Sequence, residues 1–334
     1  MKTWKVAKMQ ALVLLSGGLD SVLAVKLILE QGVEVVALNF SSPFCLCGKG
    51  GYGAAGIAKR LEIPLKIMSV GTDYIRMLRK PKYGYGRNMN PCIDCRIFML
   101  RKAKEYAAKI GVSFLFTGEV LNERPMSQHR KALSIIEEEA GLERKILRPL
   151  SAKLLPETEA EKKGWVDRQK LLDIKGRSRR RQIELADGFG IKDYPCPAGG
   201  CLLTYKEFAA KLRDLFDHKE DVRIKDVNLL KIGRHFRFGE NKIVVGRNEV
   251  ENKQLEKMRG KDDHCFEVPD CGSPITLLQG PKTREAVEKA AALTLRYSDK
   301  EDGKAVVKFG REKLDRSVAV LAMDASEIEK LRIN

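Results

Sequence analysis

Residues 11–30 read ALVLLSGGLDSVLAVKLILE and contain the pattern on which the interpretation of the whole chain depends. The apolar run Ala11–Leu15 predicts a short buried strand. The apolar residues of Ser21–Glu30 recur at helical spacing and predict a helix packed on a sheet. The stretch Ser16–Ser21, which contains two glycines, lies between them. This order of strand, glycine-containing loop and helix predicts a phosphate-binding turn.

The loop carries the groups that a phosphate needs. Gly17 and Gly18 allow backbone N–H groups to approach an anion closely, and the helix N-terminus adds partial positive charge. Ser16 and Ser21 can donate hydroxyl hydrogen bonds to phosphate oxygens, and Asp20 could hold a Mg²⁺ ion that bridges phosphates. The loop contains no lysine, so it is not the Walker pattern. A plain glycine turn before a helix is the alternative.

Strands and helices alternate through the first half of the chain. Further strands are predicted at Val33–Phe40, Leu65–Val70 and Ser113–Thr117, and helices at Ala54–Leu61 and Ile93–Ile110. Such alternation indicates an α/β fold with a doubly wound parallel sheet, covered by helices on both faces. Ligands should bind in the loops that follow the strands.

The pattern changes in the second half. From about Ile232 the period is strand-like, with a predicted hairpin of Arg234–Phe238 and Lys242–Val245 and a helix at Thr283–Tyr297. This region predicts a separate C-terminal α+β domain. We therefore expect an N-terminal domain over residues 1–205, a connecting helix or linker over 206–231, and a C-terminal domain over 232–334.

The charge of the chain indicates a polyanionic partner. Among 334 residues, 62 are Lys or Arg and 45 are Asp or Glu, which gives a formal net charge of +17. Nucleic acid is the first candidate and an anionic membrane surface the second, while a merely lysine-rich soluble protein is the alternative. The apolar runs are too short to span a membrane, and the first ten residues lack the apolar core of a secretory signal. We expect a cytoplasmic protein without membrane attachment.

Eight cysteines form a further set of candidate residues. They are Cys45, Cys47, Cys92, Cys95, Cys196, Cys201, Cys265 and Cys271. Because the chain is long and contains a C-x-x-C pair, metal, cluster or redox chemistry in a reducing cytoplasm is a better interpretation than a disulfide framework.

The segment Ser16-Gly-Gly-Leu-Asp-Ser21 resembles the pyrophosphate loop of PP-loop ATP pyrophosphatases, whose signature is S-G-G-x-D-S. All six positions match. The resemblance implies the PP-loop fold and an enzyme that cleaves ATP between the α and β phosphates. It also implies that a carbonyl oxygen is adenylated while the loop, with Mg²⁺, holds the departing pyrophosphate.

Two further segments resemble the members of this family that thiolate tRNA. Residues 116–128, FTGEVLNERPMSQ, and 146–150, ILRPL, resemble tRNA 4-thiouridine synthetases. By this resemblance Gly118 and Glu119 lie near the nucleotide and Gln128 near the opening of the site. The alternative for Glu119 is a helix cap or a salt-bridge partner.

Residues 90–95, NPCIDC, resemble the N-P-D-x-x-C segment of tRNA 2-thiouridylases, so that Cys95 matches their catalytic cysteine. Residues 199–201, GGC, resemble the segment with their second active cysteine, here Cys201. The Asp of that motif is replaced by Cys92. Cluster-dependent members of the group use a C-x-x-C and one distant cysteine, so the resemblance implies a 4Fe–4S cluster on Cys92, Cys95 and Cys201. Such a cluster leaves one iron open.

Three other interpretations of the cysteines remain. They are a zinc site with Cys196 as fourth ligand, persulfide–disulfide chemistry between Cys95 and Cys201, and buried structural thiols. Cys45 and Cys47 follow the second strand and could be auxiliary thiols, ligands or loop residues without a catalytic role. We expect Cys265 and Cys271 to be structural.

The C-terminal region resembles an NFACT-R domain, which is regarded as RNA-binding. The resemblance starts with residues 232–238, IGRHFRF, and 242–248, KIVVGRN, and extends to the end of the chain. Phe236 and Phe238 could stack on bases, or could face the core of a sheet while the basic residues face solvent. The candidate RNA contacts are Arg177, Arg179, Arg180, Arg181, Arg234, Arg237, Lys242 and Arg247.

Together these features predict an ATP-dependent tRNA uridine thiolase, a tRNA sulfurtransferase. Cys92, Cys95, Cys201 and Asp20 are the candidate catalytic residues, and tRNA and ATP are the expected substrates. Because no sulfur-transfer domain is evident at the C-terminus, sulfur should arrive as sulfide or from a separate donor. The alternatives are a PP-loop ligase or amidotransferase acting on a small molecule, and an RNA-binding adaptor that is only regulated by a nucleotide.

Overall fold

The computed structural model describes residues 9–46, 53–192, 200–301 and 303–334. The chain divides into two compact units, the N-terminal unit (Met1–Thr204) and the C-terminal unit (Tyr205–Asn334). The helix that follows Tyr205, which we placed in a connecting segment, is part of the C-terminal unit. Cys47, Cys196 and Gly199 lie outside the described residues.

The N-terminal unit is built on a parallel sheet, which confirms the predicted fold class. The order of its strands is β3-β2-β1-β4-β5, and each pair of neighbours is parallel. The strands are β1 (Gln10–Leu14), β2 (Glu34–Ser41), β3 (Leu65–Ser69), β4 (Phe114–Thr117) and β5 (Ile146–Leu147).

Helices cover both faces of this sheet. They are α1 (Leu19–Leu29), α2 (Ala54–Arg60), α3 (Thr72–Arg79), α4 (Cys92–Ile110), α5 (Arg130–Ala140), α6 (Glu159–Lys162) and α7 (Arg180–Gly188). Successive residues of a strand point to opposite faces. On β1, Ala11 and Val13 therefore pack in the core with α1 and α2, while Leu12 and Leu14 pack with α4 and α5.

The strand order places a ligand-binding crevice beside β1. The chain passes from β1 to β2 and β3 on one side of the sheet and then returns to form β4 on the other side. Leu14 and Thr117, at the ends of β1 and β4, are paired neighbours. In parallel α/β sheets ligands bind outside the carboxyl ends of the strands at such a reversal. The loops after β1 and β4 meet there.

The C-terminal unit contains an antiparallel sheet of order β11-β10-β8-β9-β7-β6. Its strands are β6 (Arg234–Phe238), β7 (Asn241–Val245), β8 (His264–Glu267), β9 (Thr276–Gln279), β10 (Lys304–Gly310) and β11 (Arg316–Leu321). Its helices are α8 (Lys206–His218), α9 (Ile224–Leu229), α10 (Glu249–Met258), α11 (Arg284–Arg296) and α12 (Ala325–Leu331).

Apolar residues fill both faces of this second sheet. One cluster joins Phe236 and Phe266 to the alanine-rich face of α11. The other joins Val244 and Leu277 to Leu255 of α10. The hairpin and the α+β character predicted for this region are therefore present. Within the part of the chain that the structure describes, no helix has the length and apolarity needed to cross a membrane.

Candidate active site

The phosphate loop joins the end of β1 to the start of α1. Gly17 has a φ of +85°, and a Cβ at this position would lie 3.0 Å from the backbone nitrogen of Ala54, so only glycine fits without strain. Gly18 is the extended N-cap of α1. Its carbonyl accepts a hydrogen bond from the Ser21 hydroxyl at 2.7 Å, and the Ser16 hydroxyl lies 3.3 Å from that of Ser21. The loop thus gathers two hydroxyls at the amino end of an eleven-residue helix.

The segment after β4 packs tightly on this loop. A Cβ on Gly118 would lie 2.5 Å from the backbone of Ser21, so that any side chain here would push the two segments apart. Glu119 is buried and pairs with Arg148 at 3.1 Å and with Arg96 at 3.3 Å. Burial alone would raise the pKa of Glu119, but the two guanidinium groups hold it below its usual value. Glu119 is therefore engaged as a salt-bridge partner, the alternative considered above.

An unexpected arginine reaches the phosphate loop. Arg179 is paired with Asp20 at 3.4 Å and also with Glu123. Burial, and then the charge of Glu123, raises the pKa of Asp20 to about 6, against the opposing effect of Arg179. The Oδ1 atom of Asp20 is buried and has no hydrogen-bond partner among the residues that the structure describes. A carboxylate with an unsatisfied buried oxygen fits a cation ligand, so Asp20 suits the predicted Mg²⁺.

The loop after β4 also holds a second arginine close to Asp20. The backbone N–H of Arg124 donates to the side chain of Gln128 at 2.9 Å, and the N–H of Gln128 donates to the carbonyl of Arg124 at 3.0 Å. Gln128 is buried. Its position in the structure is therefore that of a brace for the turn that carries Glu123 and Arg124.

The C-x-x-C pair lies in the first turn of α4, where Pro91 precedes Cys92. The Tyr74 hydroxyl donates a hydrogen bond to Cys95 Sγ at 3.2 Å. The carboxylate of Asp94 accepts hydrogen bonds from the backbone N–H groups of Lys82 and Tyr83, at 2.7 and 3.0 Å. These contacts fix the start of α4 against the segment that precedes it.

Cys201 approaches the same place from a distant part of the sequence. Its segment is held on one side by the pairing of Leu202 N–H with the Phe44 carbonyl at 2.8 Å. On the other side the Met89 N–H donates to the carbonyl of Leu203 at 3.0 Å. Cys201 lies close enough to Cys95 and Cys92 for their charges to raise its pKa. The structure therefore brings together the three cysteines that the sequence singled out.

All three thiols favour their neutral form in the chain alone. Burial raises the pKa of Cys92 and of Cys95, and it raises the pKa of Cys201 to about 12. The three partly buried thiols are of the residue type that fits iron, because thiolates are the ligands of iron–sulfur clusters. Among the described residues, however, no three His, Cys, Asp or Glu side chains are arranged as a ready metal site.

Two arginines connect the thiols with the phosphate loop. Arg96, which pairs with Glu119 beside the loop, also acts on Cys92 and Cys95 and favours their thiolates. Arg124 favours the charged forms of both Asp20 and Cys92. Arg96 directly follows Cys95 in α4 and pairs with Glu119, whose neighbour Gly118 packs on Ser21, so the nucleotide loop and the start of α4 are close together.

The basic run of residues 175–181 is divided by the structure. Arg177, Arg180 and Arg181 are exposed. Arg180 pairs with Glu184 of its own helix at 2.9 Å, and Arg181 pairs with Asp173 at 2.7 Å. Arg179 differs, because its side chain is only 18% exposed and is paired with carboxylates at the loop. Two carboxylates therefore hold Arg179 beside the phosphate loop, and its role as an RNA contact stays a prediction.

The candidate basic residues of the C-terminal unit also differ in their ion pairs and in their exposure to solvent. Arg237 donates two hydrogen bonds to Asp214, at 2.8 and 2.7 Å, and Lys242 donates one to the same carboxylate at 2.9 Å. Lys242 is buried, and its role as an RNA contact stays a prediction. Arg247 pairs with Glu251 but remains 48% exposed.

Three other residues of strand β6 that the sequence singled out make packing contacts. Phe236 is fully buried, which excludes it as a base-stacking platform and favours the alternative that it faces the core. Arg234 lies over the Tyr297 ring, 4.4 Å from its centroid, and donates to the carbonyl of Gly246 at 3.3 Å. Phe238 is partly buried against the same core.

Sequence reasoning missed several residues of the site. Tyr74 and Arg148 had no local signal, since each acts through a contact made only in the folded chain. Arg96 and Arg124 had a weak signal, because they are basic residues next to or within segments already singled out. The sequence indicates Arg179 only as a basic residue, and its pairing with Asp20 and Glu123 is seen in the folded chain.

Comparison with known proteins divides the chain in the same way. Residues 6–153 match the family model described as "Thiamine biosynthesis protein (ThiI)", and residues 233–332 match "NFACT protein RNA binding domain". A tRNA-specific 2-thiouridylase MnmA of Nitrosomonas europaea is 29% identical over 122 residues, which cover 33% of this chain and 34% of that protein. The chain thus spans about a third of that relative's length.

Two solved structures are also similar in part. One is a 4-thiouridine synthetase in complex with RNA and bound ATP, with 22% identity, 67% of this chain and 52% of that chain covered, and a TM-score of 0.36. The other is the U34-tRNA thiolase NcsA of Methanococcus maripaludis with its [4Fe-4S] cluster, with 16% identity, coverage of 67% and 70%, and a TM-score of 0.35. By the sequence matches, residues 6–153 are similar to ThiI and to tRNA-specific 2-thiouridylases, and residues 233–332 are similar to the NFACT RNA-binding domain.

Proposed function

We propose that this protein is an ATP-dependent tRNA uridine thiolase. The observation that carries the proposal is the adjacency of a phosphate loop and three convergent thiols, which share Arg96 and Arg124 as neighbours. Activation of a carbonyl by ATP and attack by sulfur need these two sites side by side. The matches to ThiI, to the thiouridylases and to an RNA-binding domain support tRNA as the substrate.

The first step would be adenylation. Ser16, Ser21 and the amides at the start of α1 would bind the phosphates of ATP, and Asp20 would hold Mg²⁺. The carbonyl oxygen of a uridine would attack the α-phosphate, and pyrophosphate would leave. Arg179, already at the loop, would exchange a carboxylate partner for the departing pyrophosphate and so stabilise its charge.

The second step would be sulfur transfer at the three thiols. Adenylation turns a poor leaving oxygen into AMP, which sulfur at the thiol site can displace from the ring carbon. Cys92, Cys95 and Cys201 would hold a 4Fe–4S cluster, whose iron without a protein ligand would bind sulfide. Tyr74 holds Cys95 in place and helps to screen it from water. Persulfide chemistry on Cys95 and Cys201 is the alternative for this step.

The target base of the tRNA must be unstacked from its neighbouring bases to reach the site. A base in a duplex is inaccessible to a phosphate loop, so the target is a loop nucleotide or one that is flipped out. The NFACT-type domain and the exposed Arg177, Arg180 and Arg181 would bind the phosphates of the tRNA.

The test of the proposal is ATP turnover by the full chain. We expect ATP–pyrophosphate exchange and AMP release that tRNA stimulates, and thiolated uridine in the nucleosides of the product tRNA by mass spectrometry. If tRNA does not stimulate AMP release but a small-molecule acceptor does, the ligase alternative is favoured. RNA binding without any AMP release would favour the adaptor.

A second experiment separates the roles of the cysteines. After anaerobic purification, iron and sulfide analysis should show a cluster, and Cys92→Ala, Cys95→Ala and Cys201→Ala should each lose both cluster and thiolation. Cys271→Ala, in the C-terminal unit, is the matched control and should lose neither. Thiolation retained by Cys92→Ala alone would favour the persulfide alternative.

A further inference from the structure

Cys45 stands directly opposite Cys201 in a short antiparallel bridge. Two backbone hydrogen bonds frame the pair: Leu46 N–H donates to the Gly200 carbonyl at 3.1 Å, and Leu202 N–H donates to the Phe44 carbonyl at 2.8 Å. Because these bonds flank the two cysteines and do not join them, the pair is of the non-hydrogen-bonded type. In such pairs the side chains lie on one face, with Cβ atoms about 4.5–5.5 Å apart.

The approach of the two segments is tight at the neighbouring residue as well. A Cβ on Gly200 would lie 2.8 Å from the Leu46 side chain, so the backbones are as close as a glycine permits. The distances of such a pair are compatible with direct reaction between the two sulfur atoms. The charge of Cys45 also contributes to the raised pKa of Cys201, as expected for adjacent thiols.

The four thiols differ in exposure. Cys45 is exposed, whereas Cys92, Cys95 and Cys201 are partly buried. A thiol must be accessible, and must ionise, to react with a donor that arrives from solvent. Cys45 meets the first condition better than the other three. Cys201 is joined to it by the bridge and to Cys95 by proximity, so the thiols form a series from the surface inward.

We propose that Cys45 is the thiol at which sulfur enters the site, accepting a sulfane sulfur from a persulfide donor and passing it to Cys201. The proposal rests on the proposed function, in its persulfide form, for the use that is made of the sulfur. It identifies the donor by class as a small-molecule or protein persulfide, R–S–SH.

Both transfers balance without an oxidant. In the first, the Cys45 thiol gives up its proton and its sulfur attacks the terminal sulfur of R–S–SH, the donor S–S bond breaks, and the departing R–S⁻ takes up that proton and leaves as R–SH. In the second, Cys201 sulfur attacks the terminal sulfur of Cys45–S–SH, a new S–S bond forms on Cys201, and its proton passes to the departing Cys45 sulfur. The fixed opposition of the two residues replaces a bimolecular collision with an intramolecular step.

The test follows the sulfur by mass spectrometry and needs neither ATP nor tRNA. The reduced full chain, freed of iron by a chelator, is mixed with glutathione persulfide, quenched with an alkylating agent and digested. We expect the extra sulfur first on Cys45 and then on Cys201. In Cys45→Ser the labelling of Cys201 should slow by about tenfold or more. In Cys201→Ser the label should stay on Cys45, and Cys271→Ser should behave as the wild type.

Two outcomes would overturn the proposal: labelling of Cys201 at the wild-type rate in Cys45→Ser, or an unlabelled Cys45 in Cys201→Ser. A thiolation assay distinguishes a failure of the sulfur-entry proposal from a failure of the proposed function. With inorganic sulfide as the source Cys45→Ser should thiolate tRNA like the wild type, because sulfide bypasses the entry thiol. With the persulfide it should be impaired. If the wild type thiolates no tRNA from either source, the proposed function fails, while the order of labelling is judged on its own.

Discussion

Arg179 and Arg180 are adjacent, chemically identical residues that do different things. The first is paired with Asp20 and Glu123 beside the phosphate loop, and the second extends into solvent with an 86% exposed side chain. The difference arises because Arg179 is the N-cap of α7 and Arg180 is its first residue, so that the helix directs them apart. A run of like charges therefore does not act as one surface.

Replacing Arg179 with Ala should lower the rate of ATP–pyrophosphate exchange by about a hundredfold, the cost of removing one charged group that stabilises a transition state. Arg180→Ala has the same change of charge and should leave exchange unchanged. Equal rates in the two variants would contradict a role for Arg179 at the loop.

The Asp20 carboxylate should lower the stability of the folded protein at neutral pH. Its pKa is raised to about 6 in the folded protein, against 3.8 for the ordinary side chain. A raised pKa means that the folded state prefers the protonated form, so its contribution to stability is present below pH 4 and is lost as pH rises through about 6. At pH 7 without Mg²⁺, Asp20→Asn should therefore raise the free energy of unfolding by about 1–3 kcal/mol while abolishing ATP turnover.

Urea denaturation at pH 7 and at pH 4 measures this effect. The stabilisation should be absent at pH 4, where wild-type Asp20 is already largely protonated. A variant that is equally or less stable than the wild type at pH 7 would show that Asp20 is not strained by burial.

Local sequence was sufficient for residues whose role depends on their neighbours in the chain. The Ser16–Ser21 loop followed from two glycines before a helix, and Cys92 and Cys95 followed from their spacing. Local sequence could not predict the contacts of Tyr74 and Arg179, because their partners lie about 20 and 160 residues away in the sequence. Such contacts exist only after the sheet has assembled.

Among the elements, helix α8 packs through buried apolar residues and is also tied to the neighbouring hairpin by one carboxylate. Asp214 accepts hydrogen bonds from Arg237 of β6 and Lys242 of β7 and so ties the helix to the hairpin. Burial would raise the pKa of Asp214, but the two cations hold it below its usual value. This arrangement engages Arg237 and Lys242 of the hairpin in ion pairs within the unit.

Removing the anchor should destabilise the C-terminal unit. Asp214→Asn leaves Arg237 and Lys242 with uncompensated charge in a partly buried setting and should cost about 2–4 kcal/mol. Asp217→Asn, on the exposed part of the same helix, should cost less than about 0.5 kcal/mol. Thermal unfolding of the full chain compares them, and a similar melting temperature for both variants would show that Asp214 is not an anchor.

The elements that the sequence predicted are those with a continuous apolar pattern. Helix α1 buries eight of its eleven residues, and β7 is buried throughout. Helix α10, in contrast, buries Leu255 among polar neighbours, and α3 is only eight residues long. Neither presents enough apolar repeats to be recognised alone, and both depend on packing for their stability.

For the molecule as a whole, the charge of +17 should appear as salt-dependent RNA binding. Because Arg179, Arg237 and Lys242 are held by carboxylates, the exposed arginines should carry a larger share of this effect. Replacing these exposed arginines therefore tests the salt dependence of RNA binding.

A triple variant of Arg177, Arg180 and Arg181 to Gln should reduce the slope of log K against log salt by about 2–3, close to one for each lost phosphate contact. Lys59, Arg60 and Lys66 are exposed residues of the same unit, and their replacement by Gln removes the same charge. Filter binding of tRNA across a salt series measures both variants. Equal slopes would mean that net charge, and not the arginine run, governs binding.

The segment around Cys201, which is held by the hydrogen bonds of Leu202 and Leu203, is synthesised later than the sheet on which it packs. All five strands of the first sheet have been made once residue 147 has emerged from the ribosome, but Arg179 and Cys201 come later in the chain. A nascent chain can thus acquire its sheet before either half of its chemistry is complete. The surroundings of the phosphate loop and the set of three cysteines are complete only when nearly the whole unit has been translated, so the proposed chemistry would begin after the supporting fold is in place.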